Sequence, residues 1–386
     1  MEHNNGEKRK IVIVGDLFPV PSNFSAFAQG DVSTLMGTDI CRIFADADYR
    51  ICNLEGALTD NDDRCEKTGP VVKAPTNTVQ ALKKVCINCC TLANNHITDA
   101  GHQGVVDTMS TLDKAHIAHI GAGPNKDDIR HYHTFEVGGM KFLLYNVAET
   151  MYNEPTAQKG GAHLYDEYRV CKELEELKSQ CDYLIVVYHG GAEKFRYPSP
   201  ETKKRFHRMV DSGANMVLSQ HTHCVGSEEY YKGAYLLYGQ GNFLFRSFNN
   251  EFTDTGLMLE LVIDEGKVSV KKHMVRAVGD TVRYDDKQDF SAFDERSAHV
   301  DDIAFLQEKF NSYCIAELPT YLNCYRGKKN LFQKISFHFF RKTYNRNLLF
   351  RSYKRKQLLF VLHSSRSEQN REIVINGLAE HLKALK

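Results

Sequence analysis

The sequence lacks any long apolar run. Nowhere among its 386 residues do 18 or more apolar positions follow one another, and a spanning helix needs about 20. The amino terminus MEHNNGEKRK has a basic flank, but the apolar run at 11–14 ends at once in Gly15-Asp16. That run is too short for the apolar centre of a signal peptide. We therefore expect no membrane-spanning helix and a cytoplasmic location.

Cysteines at disulfide-framework or zinc-ribbon spacing are also lacking. The chain has 11 cysteines, an odd number, and most lie in apolar surroundings. The C-x-x-C at 86–89 has no second pair at the spacing of a zinc ribbon. A disulfide framework of the kind found in small secreted domains is therefore excluded, and buried free thiols are expected.

Acidic residues are absent from one long segment. Residues 318–367 contain 12 Lys or Arg and no Asp or Glu, although the whole chain has 49 basic and 49 acidic residues. Aromatic and basic residues are interleaved over 332–363, which suits a helix lying on an anionic membrane surface at the inner face of the membrane. The alternative is a helix packed on the core with a solvated basic face. No recognition motif supports a nucleic-acid partner.

Short β-branched runs alternate with helical patterns from Lys10 to about Arg283. This alternation predicts an α/β fold of layered, mixed β-sheets flanked by helices. We expect a disordered terminus at 1–9, a main domain at 10–285 and a basic helical region at 286–386. The last region is predicted to contain helices at 301–316, roughly 331–362 and 368–385.

Polar side chains with metal-binding or acid–base chemistry follow the apolar runs, where each predicted strand ends. In α/β sheets, ligands bind at the carboxyl ends of the strands, and imidazoles together with carboxylates suit Zn, Mn or Fe. The residues concerned are Asp16, Asn53, Glu55, Asn94, Asn95, His96, Asp99, His189, Glu193, His221, His223 and Asn242.

Each cluster alone has an ordinary structural explanation. Gly15-Asp16 could be a turn or a helix cap, and Asn94-Asn95 could be turn residues. His189 alone could be a hydrogen-bonded core histidine, and Glu193 a charge in a first helical turn. These explanations do not account for the recurrence of such residues at the ends of successive strands, so the joint pattern favours a metal site.

The order of these clusters resembles the calcineurin-like metallophosphoesterases, and more closely their CapA branch of bacterial capsule and poly-γ-glutamate synthesis proteins. The resemblance covers about residues 10–280. The motifs that carry it are Gly15-Asp16, Asn53-Leu54-Glu55, Ala93-Asn94-Asn95-His96 with Asp99 and Gly101, His189-Gly190-Gly191-Ala192-Glu193 with Tyr197-Pro198, Gly213-Ala214-Asn215, His221-Thr222-His223 and Gly241-Asn242-Phe243.

Three positions depart from the usual metallophosphoesterase pattern. Phe18 stands where a histidine is usual, and Glu55 stands where an Asp is usual; CapA-like proteins share both features. The run His189-Gly190-Gly191 stands where the family often reads His-Trp-Gly, and this chain contains no Trp. The resemblance therefore implies one or two divalent ions (Mn, Fe, Zn or Mg) rather than a fixed number.

The resemblance also implies residue roles. Metal ligands would be Asp16, Glu55, Asn95, His189, His221 and His223, with Glu55 as a candidate bridge. Catalytic residues would be His96, with Asp99 fixing its tautomer, and Glu193. Substrate-binding candidates are Asn53, Asn94, Arg196 and Asn242, although Arg196 could equally be a solvated surface charge.

Two functions follow as hypotheses. The first is a metal-dependent hydrolase that cleaves a phosphoester or an amide of an anionic polymer in capsule or exopolymer synthesis. The second is a non-catalytic assembly or transport factor of the polymer machinery, peripheral to the membrane through its basic carboxy-terminal region.

Overall fold

The computed structural model describes residues 8–245, 250–325 and 354–384. The chain forms two compact units. The first comprises Met1–Cys65, Val71–Glu149 and Asn153–Leu306, and the second comprises Glu66–Pro70, Thr150–Tyr152 and Gln307–Lys386.

The first unit contains two large sheets. Within the described residues, sheet 1 has eight strands in the order β18-β17-β16-β1-β2-β5-β6, with β15 also paired to β1. Its central strands β1, β2, β5 and β6 are parallel, and β16 to β18 add an antiparallel edge. The strands are β1 Arg9–Leu17, β2 Tyr49–Leu54, β5 Cys89–Thr91, β6 Ala118–Ile120, β15 Asn242–Leu244, β16 Thr255–Asp264, β17 Lys267–Val278 and β18 Thr281–Tyr284.

Sheet 2 has six strands among the described residues, in the order β13-β14-β12-β11-β9-β8. The strands are β8 Tyr132–Val137, β9 Met140–Ala148, β11 Tyr183–His189, β12 Met216–Gln220, β13 Glu228–Tyr231 and β14 Ala234–Leu237. Two short pairs complete the strands: β3 Ala57–Leu58 with β4 Lys73–Ala74, and β7 Ala122–Gly123 with β10 Gly161–Ala162.

Alternation along the strands divides the apolar side chains between the faces of each sheet, since successive residues of a strand point to opposite sides. Ile11 and Ile13 of β1 pack with Ile185 and Val187 of β11 in a core between the two sheets. Val12 of β1 belongs instead to a core on the other face of sheet 1. Both sheets are thus buried on both faces.

Helices cover the outer face of each sheet. Side chains of α1 Phe24–Gln29, α2 Val32–Asp46, α3 Val79–Lys84 and α4 Gly101–Lys114 pack with sheet 1. Side chains of α5 Glu167–Leu177 and α6 Pro200–Asp211 pack with sheet 2. The start of α6 is fixed by Ser199, whose hydroxyl accepts a hydrogen bond from the amide of Thr202.

The first unit therefore has four layers, helix–sheet–sheet–helix, and the predicted mixed α/β fold is confirmed. The polar segment after 285 forms α7 Ser291–Ala298, whose Phe293 lies in the core between the sheets. The domain boundary predicted at 285/286 consequently falls inside the first unit, which extends to Leu306. Phe290 packs against the same core, so aromatic residues anchor this charged segment.

Apart from the short segments Glu66–Pro70 and Thr150–Tyr152, the described part of the second unit is helical. Helix α8 Ile303–Tyr325 begins just before this unit, and α9 Arg355–Arg366 and α10 Glu368–Ala384 follow. Helix α10 approaches α8 closely: a Cβ on Gly377 would lie 2.8 Å from the carbonyl oxygen of Cys314. Most of the helix predicted at 331–362 lies outside the described residues. Among the helices that are described, none is long and apolar enough to cross a bilayer.

Candidate metal centre

The predicted ligands come together between the two sheets. In sheet 1, Asp16 lies in β1, Glu55 directly follows β2, and Asn95 lies in the loop after β5. Strand β11 of sheet 2 ends at His189, and the loop after β12 carries His221 and His223. These strands are parallel within each sheet, so their carboxyl ends meet along one edge.

Asn53 holds the two carboxylates of sheet 1 side by side. Its Nδ2 donates to Asp16 Oδ1 at 2.8 Å and to Glu55 Oε2 at 2.6 Å. All three side chains are buried. Asn53 was predicted to bind substrate, but its amide hydrogens are directed at the carboxylates. Its described contacts therefore orient the two acids, and contact with substrate remains a prediction.

The second oxygen of each carboxylate faces an imidazole. Asp16 Oδ2 lies 3.2 Å from His223 Nδ1, and Glu55 Oε1 lies 3.3 Å from His189 Nε2. Neither oxygen has a hydrogen-bond partner, although both are buried. Buried polar atoms are almost always hydrogen-bonded. A cation bound beside these two oxygens would therefore supply the partner that each of them lacks.

The spacing also fits a metal. Ligand bonds of about 2.0–2.1 Å in a tetrahedral arrangement place neighbouring ligand atoms about 3.3 Å apart. The observed nitrogen–oxygen separations are 3.2 and 3.3 Å. Ligand atoms of Asp16, Glu55 and His189 all lie within 4.8 Å of one another, and the described part of the chain contains no other such group of three.

Asn95 and His221 complete the surroundings of His189. His189 Nε2 donates to Asn95 Oδ1 at 2.9 Å, and His189 Nδ1 is buried without a hydrogen-bond partner. The His221 ring lies 5.0 Å from the His189 ring, centroid to centroid. His221 and His223 both have positive φ, 88° and 54°, a region that side-chain-bearing residues seldom occupy.

The charges of the centre perturb one another. Burial alone would raise the pKa of Glu55, but the nearby His189 outweighs burial and holds it well below its usual range. Burial works against the charged form of His223, yet Asp16 raises its pKa to about 10. Burial, and then the neighbouring His189, lower the pKa of His221. The centre thus favours the ionised form of Glu55 beside these imidazoles.

His96 is paired with Asp99, as predicted from their spacing. His96 Nδ1 and Asp99 Oδ2 lie 2.6 Å apart, and the same oxygen accepts the amide of Val72 at 2.7 Å. The carboxylate therefore holds the hydrogen on Nδ1 and leaves Nε2 for proton transfer. His96 is also among the neighbours that lower the pKa of Glu55.

Glu193 lies at the margin of this cluster, and Arg196 follows three residues later in the chain. Glu193 Oε1 is 3.9 Å from His221 Nε2, and its side chain is 44% exposed. The Arg196 guanidinium stacks over the Phe252 ring at 4.2 Å and lies 3.5 Å from Glu251 Oε1. No described contact joins Arg196 to a predicted metal ligand, so its predicted role with an anionic substrate remains a prediction.

Asn94 and Asn242 are turned towards the protein. Asn94 Nδ2 donates to the carbonyl of Leu54 at 2.8 Å, and its Oδ1 accepts the amide of His96 at 3.1 Å. Asn242 Oδ1 accepts from His223 Nδ1 at 2.9 Å, while its Nδ2 donates to the Thr253 carbonyl. Both amides position neighbouring loops or rings; the predicted substrate contacts remain predictions.

Phe18 supplies no ligand. Its ring is buried in the apolar core beside sheet 1, so the imidazole usual at this position in metallophosphoesterases has no counterpart here. His223 is the imidazole that lies against Asp16 instead.

Several residues that support the centre were missed from the sequence. Glu149 follows β9, and its amide donates to the His189 carbonyl at 3.0 Å. Its Oε1 accepts from the Tyr188 hydroxyl at 2.5 Å and from Arg205 Nη1 at 3.1 Å. Asn146, near the end of the same strand, is fully buried. Both lie at the carboxyl end of β9, and a polar residue at the end of a strand is the same sequence signal that marks the other clusters.

Comparison with known proteins identifies the family of this chain. The family described as "Bacterial capsule synthesis protein PGA_cap" matches residues 10–247. The capsule biosynthesis protein CapA of Bacillus anthracis is 25% identical over 280 residues, covering 69% of this chain and 67% of that protein. The PGA biosynthesis protein CapA of Bacillus subtilis is 27% identical over 210 residues, covering 53% of this chain and 54% of that protein.

A solved structure, a novel phosphatase from Mycoplasma pneumoniae, has a TM-score of 0.47 and 16% identity over 74% of this chain and 99% of that chain. The chain spans about half the length of the B. subtilis relative and two thirds of the B. anthracis one. Because the family match at residues 10–247 covers more than half of the sequence, the chain belongs to the bacterial capsule synthesis protein family PGA_cap, as its strand-end motifs predicted.

Proposed function

We propose that this protein is a metal-dependent hydrolase that acts on an anionic polymer or a phosphoester during capsule synthesis. The observation that carries the proposal is the pair of buried carboxylate oxygens, Asp16 Oδ2 and Glu55 Oε1, which face imidazole nitrogens and have no hydrogen-bond partner. A site of this kind is costly unless a cation compensates it.

Asp16, Glu55 and His189 would hold the first metal, and His223, Asn95 and His221 are placed to complete one or two coordination spheres. When bound, a divalent ion would supply Lewis-acid activation of water and of the substrate oxygen. The candidate metals are Mn, Fe, Zn and Mg.

The chain's own acid–base group is His96. Asp99 keeps the hydrogen on His96 Nδ1, so Nε2 can give a proton to a leaving group and take one back in the next cycle. Asp99 is itself fixed by the amide of Val72, which limits the movement of the ring. Asn53 meanwhile keeps the two carboxylates at a constant separation.

The substrate class is proposed from the names of relatives. Those names refer to capsule and PGA biosynthesis. Either a phosphoester or an amide bond of a polyanionic chain suits metal-assisted attack by water. Glu193, at the margin of the centre, and Arg196 are the candidates for meeting the substrate.

The test is a metal-exchange assay. The protein is stripped with a chelator and reloaded separately with Mn²⁺, Zn²⁺ or Mg²⁺. Each form is offered an aryl phosphomonoester, an aryl phosphodiester and a γ-glutamyl anilide. We expect at least one substrate to be turned over by one metal form, with activity lost on chelation and restored on reloading.

Two outcomes would count against the proposal. A protein that retains no metal after equilibration and gel filtration would refute the centre. A protein that retains metal in stoichiometric amount but turns over no substrate would refute the hydrolase and favour a non-catalytic assembly or transport factor.

A specific surface supports a second proposal, peripheral contact with an anionic membrane through the second unit. On α9, Leu358 and Leu362 are exposed one helical turn apart. The cations Lys354, Arg355 and Lys356 at its start are exposed too, and Arg355 forms an ion pair with Glu66. Apolar residues beside basic ones suit the boundary between lipid headgroups and acyl chains.

Co-sedimentation with liposomes tests this contact. We expect binding to vesicles containing anionic lipid, and weaker binding to neutral ones. The double variant Lys354→Glu/Lys356→Glu should bind less, whereas Lys83→Glu/Lys84→Glu, with the same charge change on the exposed end of α3, should bind as the wild type does. Equal loss in both variants would mean that net charge, not this surface, governs binding.

A further inference from the structure

The centre is assembled from two sheets whose relative position must be held closely. Metal ligands need placement within about 0.5 Å. The core between the sheets is apolar, and apolar contact is non-directional. Directional contacts are therefore needed to fix the loop that carries Asn95 against the strand that ends in His189.

One buried side chain makes such contacts on both sides. Asn146 of β9 is fully buried. Its Nδ2 donates to the carbonyl of Val187 at 3.0 Å, in the strand that ends two residues later at His189. Its Oδ1 accepts the amide of Ala93 at 2.7 Å, two residues before Asn95. A single amide thus joins sheet 2 to the metal-site loop of sheet 1.

The chain leaves room for this amide. Gly121, at the end of β6, has φ +92°, and a Cβ there would lie 2.0 Å from Asn146 Oδ1 and 2.6 Å from the nitrogen of Ala93. Any side chain at position 121 would occupy the space in which Asn146 meets Ala93. The glycine is thus required by the same contact.

A second buried amide holds the loop from its other side. Asn153 Nδ2 donates to the Asn94 carbonyl at 3.1 Å and to the Glu149 carbonyl at 3.0 Å. Glu149 in turn donates its amide to the His189 carbonyl. The two asparagines therefore bracket Asn94 and connect it to the end of β11.

We propose that Asn146 is a positioning residue of the metal centre. With the assistance of Asn153, Asn146 sets the 2.9 Å contact between Asn95 Oδ1 and His189 Nε2. The proposal rests on the proposed metal-dependent function. Asn146 touches neither metal nor substrate; it acts by fixing where the Asn95 loop lies relative to His189.

The first measurement is metal affinity in the full chain. Removal of groups that orient metal ligands usually lowers affinity 10–100-fold, and Asn146→Ala should lower Mn²⁺ or Zn²⁺ affinity by about that factor in calorimetric titration. The matched control is Asn88→Ala. Asn88 Oδ1 accepts the amide of Arg50 at 2.8 Å at the opposite end of β5, so its loss should affect stability but leave metal affinity within about twofold.

The second measurement needs no metal. Because Asn95 Oδ1 can only accept, His189 in the metal-free wild type carries its hydrogen on Nε2. Ring ¹⁵N chemical shifts should report that tautomer in the wild type and in Asn88→Ala, and a mixture of tautomers in Asn146→Ala. If Asn146→Ala fails to fold, Asn153→Ala carries the same test, since it frees the same loop from the other side.

The outcomes separate the two proposals. A wild type that binds no metal refutes the proposed function, and the His189 tautomer then decides the role of Asn146 by itself. A wild type that binds metal, with affinity and tautomer unchanged in the asparagine variants, refutes the positioning role alone. If Asn88→Ala loses as much metal affinity as Asn146→Ala, the loss in Asn146→Ala reflects general destabilisation and not positioning of the ligands.

Discussion

In two clusters among the described residues of the first unit, several imidazoles lie near a carboxylate, and only the more deeply buried of the two has the character of a metal site. In the candidate centre, His189 and His223 face Glu55 and Asp16. The other, which we call the Glu173 cluster, consists of Tyr145, His131, His163 and Glu173. There, His163 Nε2 and His131 Nε2 lie 3.6 and 3.9 Å from the same oxygen, Glu173 Oε2.

The difference lies in what else each polar atom contacts. Glu173 Oε2 accepts the Tyr145 hydroxyl at 2.5 Å, and His163 Nδ1 donates to the carbonyl of Asn146 at 3.0 Å. In the centre, the facing oxygens of Asp16 and Glu55 have no such partner. Proximity of histidine to carboxylate is therefore a poor criterion for a metal site. Unsatisfied buried oxygens from two different strands are a better one.

The largest contrast is expected in metal retention. Glu55→Gln removes the negative charge of the candidate bridging ligand and should abolish stoichiometric metal content, since Asp16 is then the one carboxylate left among the proposed ligands. Glu173→Gln makes the same chemical change in the other cluster and should retain metal at the wild-type level. Elemental analysis after gel filtration measures both. If Glu173→Gln also loses metal, the conclusion that only the candidate centre has the character of a metal site is wrong.

A third imidazole–carboxylate pair, His96 with Asp99, differs from both because it is aligned for a hydrogen bond at 2.6 Å. If the protein hydrolyses its substrate as proposed, His96→Gln should lower kcat by about 10²–10⁴-fold, the usual contribution of general acid–base catalysis. Metal content should remain that of the wild type. Steady-state kinetics on the best substrate of the panel, with metal content measured in parallel, tests this role. A parallel loss of metal would make His96 a ligand instead.

The smallest effect concerns the pH dependence of stability. Burial, together with the neighbouring His131 and Arg169, lowers the pKa of His163 to about 3, although its hydrogen bond to Asn146 opposes this. In the unfolded chain a histidine has a pKa of about 6.5. Below that pH only the unfolded state takes up the proton, so stability is complete above pH 6.5 and is lost as the pH falls towards 3.

At pH 4 the loss amounts to on the order of 3 kcal/mol. His163→Asn removes the titrating ring. Between pH 7 and pH 4, the free energy of unfolding of this variant should therefore fall less than that of the wild type, and the difference should be about that amount. Urea unfolding at the two pH values provides the measurement. If wild type and variant lose the same free energy of unfolding between the two pH values, His163 is protonated in the folded state, where Glu173 lies 3.6 Å from its Nε2.

Much of the fold and the centre was predictable from local sequence patterns. Apolar runs predicted the strands β1, β11 and β12, and the rule that ligands lie at carboxyl ends of parallel strands predicted where the polar residues would gather. Which of these side chains contact one another was not predictable. Nothing in the sequence indicates that Asn53 lies between two carboxylates, because that contact depends on the register of β1 against β2.

Contacts between distant segments escaped prediction for the same reason. Asn146 serves a loop some 50 residues away along the chain, and a single asparagine in an apolar strand has no local signature for this. Helix α2 was also missed, since Gly37 interrupts it with non-helical φ and ψ. The basic segment around 332–353 was predicted to be helical, and that part of the prediction lies outside the described residues.

The backbone at His221 and His223 has a consequence for how this protein can change. Conformations of this kind cost of order 1–3 kcal/mol each for residues with a side chain, and glycine adopts them freely. A mutation to glycine at either position would ease the backbone and remove an imidazole at the same time. Variants chosen for thermal stability alone would therefore tend to erode the centre, and libraries screened for this protein should hold positions 221 and 223 constant.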